Sequence, residues 1–492
     1  MISIQAKKHD DFAVEFKFGF DCAKEGIRDD FSVNAWMFVP SSLDINPEVY
    51  GKKQFYRDIK SNVRLITPSY SLSEIAADDS LPLTLLRCAM AKVAGSAQES
   101  DVAAYEYHLK MFAAIFKSAL RDSATSLKNA VSIPEADNPE SADHLVEDYL
   151  GNSAIILSKY RSLYAIIDVP SVSDQIRNYF RLCDEFITHT VEIQTIRIVR
   201  SMDSTAKTPQ QEAVRQRFAQ MVMDQREYKK QKGYGVLNGD VTHDRRLVHH
   251  RGMLKKLIES DLYINLRKRK DGVAVEQLMY SIAAGVAMIF ATGVAWFTQV
   301  KYGNITWPLF VVLVVSYMLK DRIKELMRYY FAHKLGDKYF DKKADISIGK
   351  TRVGVLKEGF DFISWDRTPQ TVKEMRENAS SIADETRVFE EKILLYRKNI
   401  TIDDLALQSN ADYPMRGINE IMRLHLTRFS HKMDNPIVPI DTFDENGNVI
   451  TIQVQKSYYI NIVFQLQHNG KVDYHHFRIT MTRDGVLHVV EL

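Results

Sequence analysis

A long charge-free stretch near the middle of the chain most constrains the fold. Residues 278–300 carry no charged side chain, and a helix of this length, at about 1.5 Å per residue, crosses the roughly 30 Å hydrocarbon core of a bilayer. A second charge-free stretch, residues 302–319, contains Pro308, so its helical part is expected to begin near that proline. The sequence therefore predicts a two-helix transmembrane hairpin over residues 278–319.

Basic residues flank this hairpin, whereas its turn contributes only Lys301. By the positive-inside rule, both termini are expected in the cytoplasm. The N-terminus shows no apolar segment followed by a cleavage site, so we expect everything before the hairpin to stay on the side of synthesis. An apolar hairpin in a soluble core is the alternative. The basic residues predicted to lie at the anionic lipid surface are Arg267, Lys268, Arg269, Lys270, Lys320, Arg322, Lys324 and Arg328.

Small and aromatic residues are patterned within the hairpin. Trp296 and Trp307 are expected at the membrane interface near the turn. Small residues recur every four positions on the first helix, where they allow close helix packing, either against the second helix or against another copy of the chain. These residues are Ala283, Ala287, Ala291 and Ala295. Neither pass contains an acidic, basic or histidine residue, which argues against an ion or proton pathway.

The remaining sequence predicts an α+β membrane protein with cytoplasmic regions on both sides of the hairpin. Period-two alternation predicts strands near the N-terminus and an antiparallel meander at the C-terminus, while period 3.6 predicts helices between them. If Asn469-Gly470 forms a two-residue turn, Phe464 faces His475 and Ile462 faces Phe477, giving an apolar face that the helices of the same region should cover. The predicted domains are an N-terminal α+β domain (1–131), a helical domain (143–232), a membrane-proximal basic helix (244–277), the hairpin (278–319), a juxtamembrane amphipathic helix (320–343) and a C-terminal α+β domain (345–492).

Composition excludes several classes of function. The chain has 65 basic and 63 acidic residues, so its formal net charge of +2 gives no reason to expect a nucleic-acid partner. Its three cysteines are far apart, which argues against a disulfide framework and a zinc site. His189 and Glu192 are one helical turn apart but lack the second histidine of a zinc motif. No metal or cofactor is predicted.

The most site-like run follows the helical domain. Its glycines permit close approach to an anion, and its histidine and aspartate side chains are able to bind a metal or transfer protons. The run does not follow a strand and lacks the order of a dinucleotide-binding motif, so a flexible joint before the membrane is the favoured alternative. The candidate ligand-binding residues are Gly233, Gly235, Gly239, His243, Asp244 and His250.

Three segments carry a resemblance to known proteins. They are FYRDIKSNVRLITP (residues 55–68), YMLKDRIKELMRYYFAHKL (317–335) and RFSHKMDNP (428–436). Together they resemble an uncharacterised family of bacterial two-pass membrane proteins. The resemblance implies a bacterial inner-membrane setting, and no activity, ligand or catalytic residue comes with it.

These observations favour a non-enzymatic role. The leading hypothesis is a membrane-anchored cytoplasmic scaffold or sensor, whose partners are the anionic bilayer and either another protein or further copies of the chain. One alternative is a membrane-surface hydrolase or nucleotide-using enzyme with its site near residues 233–250. The other is an oligomeric pore-forming effector that assembles through the alanine face of the first helix.

Overall fold

The computed structural model shows a mixed α+β chain that divides into two compact units. The sheet unit comprises Met1–Arg64, Ile264–Asp412 and Gly417–Leu492, and the helical unit comprises Leu65–Tyr263 and Tyr413–Arg416. The predicted division, with separate α+β domains over 1–131 and 345–492, differs because strands from both ends of the chain share the sheet unit. The structure describes residues 2–22, 28–96, 98–132, 139–202, 209–264, 266–303, 307–336, 340–348, 351–378, 391–409 and 411–492.

The described strands form three antiparallel sheets. One has five strands in the order β1-β2-β10-β4-β5, one has eight in the order β15-β14-β13-β3-β9-β8-β7-β6, and β11 pairs with β12 alone. The strands are β1 (Ile2–Asp10), β2 (Ala13–Asp21), β3 (Asp29–Pro40), β4 (Ile59–Leu65), β5 (Tyr263–Ile264), β6 (Arg267–Lys270), β7 (Lys342–Ile348), β8 (Thr351–Ile363), β9 (Glu391–Ile402), β10 (Gly417–His425), β11 (Ile437–Phe443), β12 (Val449–Gln455), β13 (Tyr458–His468), β14 (Lys471–Thr482) and β15 (Gly485–Glu491).

Helices occupy both units. The sheet unit contains α1 (Lys52–Asp58), α10 (Val273–Tyr302), α11 (Trp307–Gly336), α12 (Gln370–Asn378), α13 (Asp404–Ser409) and α14 (Thr427–Ser430). The helical unit contains α2 (Leu72–Ala76), α3 (Leu81–Gly95), α4 (Glu99–Ser132), α5 (Pro139–Ser162), α6 (Tyr164–Ile167), α7 (Asp174–Met202), α8 (Pro209–Lys232) and α9 (Val241–Ile258). The predicted boundary at 131–143 lies partly outside the described residues, and α4 and α5 approach it from either side.

The core of the sheet unit lies between its two larger sheets. Alternation along β2 places Phe16 and Phe18 on its buried face, and both rings contact Phe464 of β13, at centroid distances of 5.0 and 5.6 Å. The apolar face of the C-terminal meander is thus covered by the five-stranded sheet. The expectation that helices of the same region cover it was wrong, because α12 packs on the opposite face of the eight-stranded sheet, against Val463.

The C-terminal hairpin has the predicted register. Phe464 pairs with His475 and Ile462 with Phe477. Asn469 and Gly470 both have positive φ, 48° and 78°, as a two-residue turn between right-twisted strands requires. This local prediction is confirmed because the turn residues and the alternation of the two strands specify the same register.

Stacked aromatic rings join three helices of the helical unit. Phe112 of α4 stacks on Tyr160 of α5, with ring centroids 5.2 Å apart, and Tyr160 stacks on Phe180 of α7 at 4.5 Å. All three side chains are buried, and the Tyr160 hydroxyl donates to the Phe180 carbonyl oxygen at 3.2 Å. The apolar stripes of α4, α5 and α7 therefore form one core, as their helical spacing predicts.

The region around the predicted hairpin differs from expectation in three ways. Among the described residues, one helix, Val273–Lys301, is long and apolar enough to cross a membrane. The predicted basic helix over 244–277 is instead α9 followed by the short strands β5 and β6. The predicted separate helix over 320–343 is, up to Gly336, the continuation of α11, and its last two residues belong to β7. The apolar part of α11 is shorter, because charged residues begin at Lys320, about 13 residues after α11 starts.

Candidate functional site

The loop between α8 and α9 is closed by hydrogen bonds. Asp240 caps α9 by accepting from the Thr242 backbone N–H at 3.0 Å, and the Asp244 carboxylate accepts from the backbone N–H groups of Asn238 (3.2 Å) and Gly239 (3.1 Å). Contact with His243 and these backbone bonds hold the pKa of Asp244 below its usual value. Asp244 therefore orders the loop.

Beside this loop lies a pocket of about 260 Å³ in the helical unit. Four of the six predicted residues line it, namely Gly233, Gly235, His243 and His250, whereas Gly239 and Asp244 are not among its lining residues. His250 Nε2 lies 3.1 Å from a carboxylate oxygen of Glu185, which sequence reasoning missed because it comes from α7. The pocket thus combines imidazole and carboxylate groups in an arrangement suited to proton transfer.

A buried polar network lies next to the pocket. Asp184 is buried and accepts hydrogen bonds from the hydroxyls of Tyr228 (2.7 Å) and Tyr234 (2.9 Å), and Arg161 lies 3.3 Å from it. The Arg161 guanidinium also stacks on the Tyr228 ring, 3.5 Å from its centroid. Burial, reinforced by the Asp184 charge, raises the pKa of both tyrosines. No local sequence motif indicates this network, because its members come from α5, α7, α8 and the loop that follows α8.

The incomplete His189 and Glu192 pair is part of an ion-pair cluster. Glu192 contacts Lys229, and its other oxygen lies 3.1 Å from Arg226 Nε. Although burial favours the neutral acid, His189, Lys229 and Arg226 hold the pKa of Glu192 well below its usual value. Within the described residues, no group of three or more histidine, cysteine, aspartate or glutamate side chains is placed to hold a metal ion.

A large cleft lies on the outer face of the eight-stranded sheet. α12 covers one end of this face, where Val372 packs with Trp36, Phe38, Ile393 and Val463. The other end is open and forms a cleft of about 1040 Å³. Its polar lining residues are Arg28, Asp30, Ser32, Lys343, Arg352, Lys357, Asn399, Thr401, Asp403, Gln467 and Asn469.

Strand register aligns part of this lining into one transverse row. From β7 to β13, the directly paired residues are Lys343, Lys357, Asn399, Ser32 and Gln467. Ser32 donates to Asn399 Oδ1 at 3.1 Å, which ties neighbouring strands together through their side chains. Sequence reasoning missed this row because its members are separated by up to several hundred residues and each alone reads as an ordinary exposed strand residue.

Between the two large sheets lies a buried cluster of charges. Lys398 contacts Glu420 and lies 3.4 Å from Glu358, and all three residues are buried. Burial alone favours neutral Glu358, but Lys398 and Lys268 outweigh it and lower the pKa of Glu358 to about 2. Lys268 Nζ lies 2.8 Å from Glu358, so this predicted lipid-surface residue is turned to the protein instead.

The other predicted membrane residues fall into three groups. Ala283 and Ala287 are buried on α10, which packs against α11, whereas Trp296 and Trp307 are 72% and 76% exposed. Two further basic residues of β6 form ion pairs, Arg269 with Asp345 (2.8 Å) and Lys270 with Glu276 (2.5 Å). On α11, Lys320 lies over the ring of Tyr317 and Arg328 over that of Tyr280. The remaining predicted lipid-surface residues lie on these two elements, Arg267 on β6 and Arg322 and Lys324 on α11.

Comparison of the chain with protein-family models, with curated proteins and with solved structures found no match.

Proposed function

We propose that the protein is a membrane-anchored scaffold or sensor, with α10 and α11 inserted as a hairpin from the cytoplasmic side of a bacterial inner membrane. The observation that supports this proposal is the exposed apolar surface of α10, on which Ile289, Phe297 and Val300 are 74%, 72% and 75% exposed. An exposed apolar surface along a helix of this length is typical of contact with lipid or with a partner.

The attachment of the hairpin suits an anchor that is firmly coupled to the sheet unit. α10 follows β6 and α11 precedes β7, and these two strands pair antiparallel at the edge of the eight-stranded sheet. The Asp271 backbone N–H donates to the Asp341 carbonyl oxygen at 3.4 Å, so both helices leave the sheet at one point. Movement of the hairpin would therefore act directly on the edge of the sheet.

The alanine face supports the scaffold hypothesis over the pore hypothesis. Because Ala283 and Ala287 are buried while α10 packs against α11, the close packing that small residues permit is used within one chain. A pore would need this face at contacts between chains. The apolar part of α11 is about 20 Å long at 1.5 Å per residue, so Lys320 and Arg322 would have to extend towards the head groups for α11 to cross the membrane.

Replacement of residues 273–339 by a four-residue Gly/Ser turn is expected to release the protein from the membrane. The proximity of Asp271 and Asp341 allows a short turn to join β6 to β7 without distorting the sheet. The measurement is the distribution of the protein between membrane and soluble fractions after ultracentrifugation, and circular dichroism checks that the shortened chain folds. Retention of the folded variant in membranes stripped of peripheral proteins would overturn the anchor.

Cysteine labelling of intact spheroplasts tests whether both helices of the hairpin cross the membrane. In a Cys22→Ser/Cys88→Ser background, Lys301→Cys places a thiol at the hairpin turn, while Cys88 in a Cys22→Ser chain reports on the helical unit. With both termini in the cytoplasm and both helices crossing, an impermeant maleimide labels position 301 in intact spheroplasts and labels Cys88 only after lysis. Labelling of position 301 only after lysis would mean that the hairpin enters without crossing.

A second candidate function, a hydrolase, is supported by the pocket that brings His243 and His250 beside Glu185. If these histidines transfer protons, the His243→Ala/His250→Ala variant is expected to lose about 100-fold or more of the hydrolysis rate for p-nitrophenyl esters of acetate and phosphate. His249→Ala is the matched control, because His249 is exposed on the same helix outside the pocket. Absence of turnover by the native protein, or equal rates in both variants, would remove this candidate.

A further inference from the structure

We infer that the open cleft on the outer face of the eight-stranded sheet binds a phosphate-bearing anion between Lys343 and Lys357. The cleft volume of about 1040 Å³ is at the upper end of ligand-binding pockets, which are typically about 300–1,000 Å³. All of its lining residues belong to the sheet unit, and they come from strands far apart in the chain. This inference does not depend on membrane insertion of the hairpin.

The charges of the cleft are unbalanced in favour of an anion. Four cationic side chains line it, whereas its acidic residues are Asp30 and Asp403. Both acids already have partners, because Asp30 accepts from Thr401 at 2.5 Å and lies 3.6 Å from Arg28 Nε, and Asp403 accepts from the Ala406 backbone N–H at 3.0 Å. The cationic residues are Arg28, Lys343, Arg352 and Lys357.

The two lysines lie where like charges are least favourable. Lys343 of β7 and Lys357 of β8 are directly paired across the strands, and like charges at such positions destabilise a sheet. Lys357 has a carboxylate of Asp271 at 3.7 Å, but Lys343 has no acidic partner among the residues that the structure describes. An anion held between the two ammonium groups would remove this repulsion.

Neighbouring groups suit a tetrahedral oxyanion. Arg352, whose Nε lies 3.1 Å from Asp345, brings a guanidinium with further N–H donors to the same cleft. Asn399, next to Lys357 in the transverse row, uses its side-chain oxygen to accept from Ser32, which leaves its amide N–H groups as donors for a ligand. Charge-assisted hydrogen bonds from several donors are the usual means by which proteins hold phosphate groups.

The phosphate has two potential sources, a soluble ester or a lipid head group. The cleft adjoins the base of the hairpin, because Asp271, the partner of Lys357, lies two residues before α10. An anionic lipid beside the hairpin and a soluble phosphate compound would offer the same chemistry to Lys343 and Lys357. The test therefore uses one probe for each source.

The soluble probe is inorganic pyrophosphate, titrated calorimetrically into the full-length protein in zwitterionic detergent. Each of Lys343→Gln and Lys357→Gln is expected to weaken binding about tenfold, the loss of one charge-assisted contact. Lys53→Gln, which removes an exposed lysine elsewhere in the sheet unit, is the control and is expected to change affinity less than about twofold. The lipid probe is phosphatidylglycerol, retained by the protein from mixed nanodiscs and counted by native mass spectrometry.

The outcomes separate binding from a general effect of charge. Selective loss of pyrophosphate affinity in the two cleft variants supports a soluble ligand, and selective loss of retained phosphatidylglycerol supports a lipid head group. Without probe, Lys343→Gln is expected to unfold at the same or a slightly higher temperature than the native protein, because repulsion is relieved. Absence of binding of both probes to the native protein, or equal weakening by Lys53→Gln, would overturn the inference.

Discussion

Lys398→Met is expected to lower the free energy of unfolding of the sheet unit by about 3–5 kcal/mol. Lys398 is buried between the carboxylates of Glu358 and Glu420, and methionine leaves both of them inside the sandwich without their shared counter-charge. Glu358 keeps Lys268 and the Tyr396 hydroxyl, 2.9 Å away, whereas Glu420 keeps, among the described residues, only its contact with the Ser61 hydroxyl. The loss therefore comes mainly from an unpaired buried carboxylate.

Tryptophan fluorescence during denaturant unfolding measures this effect, because all four tryptophans of the chain belong to the sheet unit. Lys392→Met is the matched control: it removes an exposed lysine from the same strand and is expected to change stability by less than about 0.5 kcal/mol. Adding Glu420→Gln to Lys398→Met should recover part of the loss. A cost for Lys398→Met no greater than that of the control would show that the three charges do not depend on one another.

The buried charges also show where sequence-based prediction ends. Each of β8, β9 and β10 has one buried face, but alternation in sequence alone treats a charged residue as facing solvent. Glu358, Lys398 and Glu420 occupy buried positions because each finds its partner on a different strand. Such compensation appears only when the pairing of distant segments is known.

The candidate sites also differ in how far the sequence predicts them. The residues of the 233–250 run are close in sequence, so their composition alone points to a joint. The structure gives Gly233 and Gly239 positive φ and places four of the six predicted residues around one pocket. The cleft on the eight-stranded sheet draws on residues from Arg28 to Gly470, and no local pattern connects them. The hairpin register of β13 and β14 was predictable because a two-residue turn determines it.

The same strands carry both the buried charges and the cleft. On β8, Lys357 faces the cleft and Glu358 faces the core, and on β9 Lys398 faces the core and Asn399 the cleft. Because successive strand residues point to opposite faces, an anion held at Lys357 lies on the sheet directly behind the Glu358 and Lys398 pair. The edge strands β6 and β7 then join this region to α10 and α11, so in the proposed sensor one continuous sheet would connect the proposed ligand site to the proposed anchor.

Acidification is expected to destabilise the sheet unit through His476, by about 3 kcal/mol as the pH falls from about 7.5 to about 4. His476 of β14 is buried beside α12, and its ring nitrogen Nε2 lies 3.2 Å from Asn461 Oδ1. Burial, together with the charges of Arg376 and Arg478, lowers the pKa of His476 from 6.5 to about 4. The unfolded chain therefore binds a proton at a pH where the folded chain does not, so stability is complete above pH 6.5 and decreases towards pH 4.

His476→Gln removes the titrating group while retaining an amide that can donate to Asn461, so its free energy of unfolding should lose most of this pH dependence. His475→Gln is the matched control, because His475 lies on the opposite face of the same strand, half-buried and 2.8 Å from Glu491. Glu358, whose pKa is about 2, contributes stability that is lost only at lower pH, as its carboxylate becomes protonated. Parallel pH profiles for the native protein and His476→Gln between about pH 7.5 and about pH 4.5 would therefore show that His476 is not the group responsible.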